Sequence, residues 1–96
     1  MIKSKLDSEL KKIVDISKEF GAKMVILFGS CLEDIAQARD IDIAISGVSD
    51  QDFFKYYGRI SMAVEDEVDL VDLKDLPEHF YHRIVSRGKV LYERKD

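Results

Sequence analysis

Asp40 and Asp42 stand two positions apart in the run Asp40-Ile41-Asp42-Ile43-Ala44-Ile45-Ser46. Side chains of a strand alternate between faces, so this spacing predicts a strand with Ile41, Ile43 and Ile45 on one side. Asp40, Asp42, Ala44 and Ser46 then share the other. Two carboxylates on one face are close enough to share a cation, and without one they repel and raise a pKa. Asp is depleted in strands, and neighbours as small as Ala44 and Ser46 leave space for a ligand. Hard oxygen donors of this kind select Mg²⁺ or Mn²⁺. A third acid, Asp69, opens the run Val68-Asp69-Leu70-Val71-Asp72-Leu73 and can face the same side as Asp42. Asp72 has the opposite parity, so if one faces the acids the other faces away. Three carboxylates from two neighbouring strands can hold two divalent ions against a triphosphate. The plain alternative for the same residues is a polar strand face turned to solvent.

Gly29 and Ser30 follow five consecutive apolar residues, Met24 to Phe28. A buried strand that ends in Gly-Ser and runs into a helical turn offers backbone N–H groups and a hydroxyl to a phosphate. Alone, the dipeptide is equally a turn glycine followed by a helix cap. Other reactive side chains lack partners at useful spacing. His79 and His82 lie three apart on a predicted helix with no third ligand nearby, which reads as surface. Cys31 has no base beside it and reads as a small packed residue. Phe53, Phe54, Tyr56 and Tyr57 read as core and helix surface rather than a stacking platform.

The elements that must carry these residues are legible in the apolar periodicity. Leu6, Leu10, Ile13, Val14 and Ser17 share one face of a first helix. Ser4 with Asp7 suggests its capping box, and Gly21 its stop. Residues 24–28 make a strand buried on both sides, 30–39 a helical turn and a loop, and 40–46 the acid-bearing strand. Ser49 and Asp52 open a second long helix over residues 50–65, with Phe53, Tyr56, Tyr57, Ile60 and Val64 inward. Residues 68–73 form the next strand. Pro77 suits the first turn of a last helix, with Phe80, Ile84 and Val85 buried, and Val90 to Tyr92 a final strand. The order predicts an α/β (α+β) domain over residues 1–96. Its mixed sheet has about four strands, with helices on one face and an open, acid-bearing face opposite.

Composition narrows the partners. The chain has 96 residues, is 46% hydrophobic and 35% charged, and carries a formal net charge of -4. That mix folds, and the length suits one domain. An acidic domain with scattered Lys and Arg is a poor binder of nucleic-acid backbone. No run approaches the ~18 apolar residues of a membrane span, no secretory leader is evident, and a single cysteine suits a reducing compartment. A cytoplasmic protein that contacts neither membrane nor nucleic acid is expected.

An apolar strand, Gly29-Ser30, a nine-residue spacer, Asp40-Ile41-Asp42 and then Asp69 in Val68-Asp69-Leu70-Val71 together resemble the DNA polymerase β-like nucleotidyltransferases. The resemblance is strongest to their minimal form, the MNT antitoxins of prokaryotic MNT–HEPN pairs. It extends to the closing stretch Ile84 to Tyr92. The resemblance implies a polymerase β palm-like fold, with ATP and Mg²⁺ or Mn²⁺ as substrate and cofactor. Gly29 and Ser30 would bind nucleotide phosphates. Asp40 and Asp42 would bind the metals, and Asp69 would complete the metal set and help deprotonate an attacking hydroxyl. The implied reaction moves AMP, or another nucleoside monophosphate, from an NTP to a hydroxyl of a protein partner, a HEPN-domain toxin. One departure stands out. Members usually carry Ala-Arg-Gly shortly after Gly-Ser, and here the stretch is Cys31-Leu32-Glu33-Asp34. A degenerate module that neutralises its partner by binding alone is the alternative this departure favours.

Overall fold

Five apolar residues in a row, Met24–Phe28, form strand β1, and the middle three are buried. β1 pairs on both edges: antiparallel to β2 (Asp40–Ser46) and antiparallel to β4 (Lys89–Glu93). β2 pairs in parallel with β3 (Glu67–Asp72). The result, in the computed structural model describing residues 1–95, is a mixed four-stranded sheet of order β3-β2-β1-β4. A parallel pair cannot be closed by a tight turn, and helix α3 (Asp50–Ala63) makes the crossover from β2 to β3. The Ser49 hydroxyl caps α3 by accepting the Asp52 N–H at 3.2 Å.

The main core lies on one side of the sheet. Ile41, Ile43 and Ile45 of β2 meet Leu6, Leu10, Ile13 and Ile16 of α1 (Lys3–Glu19) and Tyr56 and Ile60 of α3. The strict alternation of β2 dictates this. Its isoleucines are fully buried, and their parity sends the aspartates to the opposite face. Ser17 and Tyr56 tie the two helices by a buried hydroxyl pair 2.6 Å apart, and Ser17 also donates to the Ile13 carbonyl.

Three expectations need correction. α1 begins at Lys3 with Ile2 as its cap and no side-chain cap bond, so Ser4 and Asp7 form no capping box. Glu9, on which the sequence is silent, is buried because it accepts the Glu65 N–H at 3.0 Å and pairs with Lys12. α4 (Glu78–Arg87) buries only Ile84, whereas Phe80 and Val85 stay 40% and 42% exposed. Finally, α1 and α3 cover one face as expected, but α4 packs on the other. There Ile84 joins Ile26, Ala44 and Leu73 in a second, smaller core. One large side chain over two small or branched ones is enough to seat a short helix, so the acid-bearing face is closed at one end and open at the other. No described helix is long and apolar enough to cross a membrane.

Ile43 lies at the centre of the main core beneath the acid strand. We expect Ile43→Ala to lower unfolding free energy by about 3 kcal/mol, read from denaturant midpoints with an unchanged slope. A loss below ~1 kcal/mol would show that this core tolerates a cavity by collapse.

Candidate active site

The parallel register of β2 with β3 assembles the acids. Asp42 lies opposite Asp69, and Asp40 opposite Glu67. Paired residues project to the same side, so Asp40, Asp42 and Asp69 share the face left open by α4. Asp72 falls opposite Ile45 and takes a structural role on the other face. It is buried, accepts the Lys74 N–H at 3.1 Å and pairs with Lys74 Nζ. The parity argument therefore separates Asp69 from Asp72 as expected. Glu67 is a fourth acid on the site face that the sequence disguised as part of a charged loop; it is the first residue of β3.

Asp42 is the strained member. Burial pushes its carboxyl above the ordinary 3.8, and the charges of Asp69 and Asp40 push it further, with Asp69 close enough to share a hydrogen bond. Like charges this close disfavour the doubly ionised pair, and a cation between them would relieve the repulsion.

Gly29 touches the same carboxylate. Its φ is +75°, a conformation L side chains rarely adopt. A Cβ placed there would collide with the Asp42 carboxylate, whose Cγ would lie 3.0 Å away. Glycine is thus required twice, by conformation and by approach. Gly29 also takes the cap position of α2 (Ser30–Glu33) without any side-chain cap bond. Ser30 is therefore not a helix cap. It is exposed, and its hydroxyl has no partner among the described residues.

Cys31 is buried, and its thiol donates to the Asp40 carbonyl at 3.2 Å. Burial, and then the nearby Asp42 charge, raise its pKa. Thiolate reactivity is thereby suppressed, and the residue acts as a packed small side chain that fixes the start of β2. His79 and His82 are exposed, and His82 lies 3.6 Å from Glu78. On the far side of Gly29 a cleft of about 230 Å³ opens between α2 and α4. Phe28, Gly29, Leu32, Glu33, Phe80 and Arg83 line it, with Ile84, Arg87 and Gly88. Nothing in the sequence placed α4 beside Gly29. The four-residue spacing of Arg83 and Arg87 was visible, but without the fold it reads as a solvated stripe.

Among the described residues no three His, Cys, Asp or Glu side chains converge on a point as a ready metal cage. Mg²⁺ is usually held by one or two carboxylates and completes an octahedron with water and substrate phosphates. Asp42 and Asp69, with Asp40 beside them, are such a partial donor set, all hard oxygen. The repulsion that lifts Asp42 is what a divalent cation would relieve.

Two outcomes follow for the metal-free protein. Because folding raises the Asp42 pKa, the native state prefers the protonated form, and this group's contribution to stability falls as pH rises from the ordinary 3.8 through the raised value. Asp42→Asn should remove that slope and raise the Tm at neutral pH by a few degrees; a lower Tm would mean that Asp42 is not repelled. Gly29→Ala should cost roughly 1–3 kcal/mol, measured by denaturant unfolding, and a neutral result would contradict the close approach to Asp42.

With this geometry in view, the chain was compared with known proteins. No curated protein matches it. Solved structures do. It aligns with a chain of a toxin–antitoxin complex with AMP-PNP at 26% identity and TM-score 0.72, covering 88% of this chain and 73% of that one. It aligns with a chain of the toxin–antitoxin MntA–HepT at 22% identity and TM-score 0.69, covering 92% and 73%. A third match is to a chain of a tri-AMPylated Shewanella oneidensis HEPN toxin in complex with MNT antitoxin. That match has 22% identity and TM-score 0.70, with 92% of this chain and 72% of that chain covered. The family model described as polymerase beta, nucleotidyltransferase, matches residues 10–96, a range that includes all five candidate site residues, and the chain belongs to that nucleotidyltransferase family.

Proposed function

We propose that this protein is a metal-dependent nucleotidyltransferase that moves AMP from ATP to a hydroxyl on a HEPN-domain protein, and that it serves as the antitoxin of such a pair. The observation that carries this is the convergence of Asp42 and Asp69 from neighbouring strands, with Asp40 beside them, on an open face bordered by Gly29. A surface strand gains nothing from mutually repelling carboxylates, two of them half-buried at Asp40 and Asp42, whereas a cation would turn that repulsion into attraction. The family adds the reaction type. The similar complexes hold AMP-PNP in one case and an AMPylated HEPN toxin with its MNT antitoxin in another, which supports adenylate as the transferred group and HEPN as the partner.

In this reading Asp40 and Asp42 hold Mg²⁺ or Mn²⁺, Asp69 completes the set, and Gly29 with Ser30 receives the phosphates. The ions supply charge neutralisation and a more acidic attacking hydroxyl. The acceptor oxygen bonds to the α-phosphorus while the bond from that phosphorus to the bridging oxygen breaks. The hydroxyl proton passes to Asp69, and the electron pair leaves with pyrophosphate. Gly29 lets the triphosphate approach the acids because no Cβ intervenes. Positioning and electrostatics carry the rate. Residues 1–96 act as one catalytic unit in the cytoplasm, with the partner supplying the acceptor.

A second reading, a module that neutralises its partner by binding alone, is favoured by one observation. Glu33 lines the cleft beside Gly29, where its charge opposes a phosphate. Incubating the protein with α-labelled ATP, Mg²⁺ and the HEPN protein encoded beside it decides the matter. Label should appear on the partner and fall at least ~100-fold for Asp40→Asn or Asp42→Asn. A stable complex without label would establish the binding-only module.

A further inference from the structure

The cleft between α2 and α4 carries charge that the acid site does not use. Arg83 and Arg87 lie four residues apart on α4, on one helix face, and both line the cleft. Neither guanidinium has an ion-pair or hydrogen-bond partner among the described residues, although Glu33 lines the opposite wall. Lys5, Lys12, Arg59 and Lys74 pair with acids, while several other lysines among the described residues are as unpaired as the two arginines; what sets Arg83 and Arg87 apart is that both line one cleft. The helix dipole accounts for a basic residue in the last turn, at Arg87. It does not account for Arg83, nor for both facing one cleft.

Gly29 is the shared wall. One side of it meets the Asp42 carboxylate, and the other lines the cleft. A ligand lying across Gly29 therefore meets an excess of negative charge at one end and, with two guanidiniums against the single Glu33 carboxylate, an excess of positive charge at the other. A metal–polyphosphate matches that division, with its cations on the acids and its phosphate oxygens on the arginines. Guanidinium binds phosphate through paired N–H donors. The apolar floor of Phe28, Phe80 and Ile84 lowers the local dielectric, which strengthens that attraction.

We propose that Arg83 and Arg87 grip the β- and γ-phosphates of the donor and stabilise them as the pyrophosphate leaving group, so that α4 provides positive charge that α2 lacks at Glu33. The proposal rests on the nucleotidyltransferase reading for its ligand, but its test does not depend on turnover. In the transfer step the arginines receive the negative charge that builds on the bridging oxygen as its bond to the α-phosphorus breaks.

The test is calorimetric titration of the full chain with tripolyphosphate, and separately with AMP, both in Mg²⁺. Arg83→Ala and Arg87→Ala should each weaken tripolyphosphate binding ~5–10-fold, and the pair ~50-fold, while AMP affinity shifts less than about twofold. Arg83→Lys and Arg87→Lys should keep part of the affinity, since charge remains and the fork is lost. Both residues are exposed, and circular dichroism controls for folding. An unchanged tripolyphosphate affinity in the double variant overturns the proposal. So does an equal loss for AMP, which would place the nucleoside on the arginines, and so does a wild-type chain that ignores tripolyphosphate. Absence of label transfer with arginine-dependent tripolyphosphate binding would sink the transferase reading alone. Label transfer indifferent to both arginines at limiting ATP would sink this inference alone.

Discussion

The parallel pairing of β2 with β3 sets Asp42 directly opposite Asp69, and the rest of the structure is organised around that unfavourable contact. Two carboxylates a hydrogen bond apart destabilise the metal-free fold, so something else must fix the strands that carry them. Three fully buried isoleucines do so on the reverse of β2. Each side chain of that size contributes roughly 1.5–3 kcal/mol by leaving water. A one-residue slip of β2 would expose all three. The register is therefore held from below by hydrophobic burial, strongly enough to impose electrostatic repulsion above. The crossover helix α3 contributes to the same core through Tyr56 and Ile60, so the element that makes the parallel pairing feasible also stabilises it.

Gly29 converts this local arrangement into a site with two sides. Its missing Cβ lets the end of β1 lie against Asp42, and its positive φ turns the chain into α2. The thiol of Cys31 then bonds the Asp40 carbonyl, so the turn that leaves β1 is tied to the strand that carries the acids. α2 has only four residues, and a helix that short has a weak dipole. The polarity of the region is consequently supplied by side chains more than by α2 itself. Burial of Ile84 against Ile26 and Ala44 brings α4 within reach, and with it the two arginines. The small core on the acid-bearing face thus shapes the far wall of the cleft.

What could be read from the sequence was what period and parity encode. The alternation in residues 40–46 located the acid face, and the opposite parities of Asp69 and Asp72 placed the first on that face and the second on the other. Hydrophobic spacing found α1 and α3 to within a few residues. The misses share a physical cause: they depend on contacts between elements distant in the chain. The burial of Glu9, on which the sequence was silent, likewise depends on a backbone N–H fifty-six positions away that needs an acceptor. Phe80 and Val85 had helical spacing suited to a core, but α4 meets the sheet along a narrow line at Ile84, so apolar side chains beside that line stay at the surface. Glu67 looked like the end of an acidic loop because strand boundaries are poorly marked where charged residues precede a β run.

If this acidic protein takes the anionic substrate proposed above, its charge must be distributed unevenly, and net charge alone conceals this. The chain's formal -4 argues against a phosphate backbone spread over many contacts. It says little about a compact polyphosphate that brings divalent cations with it. Such a ligand presents positive charge to Asp40, Asp42 and Asp69 and negative charge elsewhere, so a divided site can hold it where a uniformly basic surface is unnecessary. The division here falls at a single residue without a side chain. Any side chain at Gly29 would both fill the approach to Asp42 and narrow the cleft, which couples the two halves sterically as well as electrostatically. Glu33 then has a definite consequence: it partly cancels the arginine field in the cleft when no ligand is bound, and a bound phosphate must displace its influence. On the proposed reading, the affinity for a phosphate tail would be set by the balance between one carboxylate on α2 and two guanidiniums on α4.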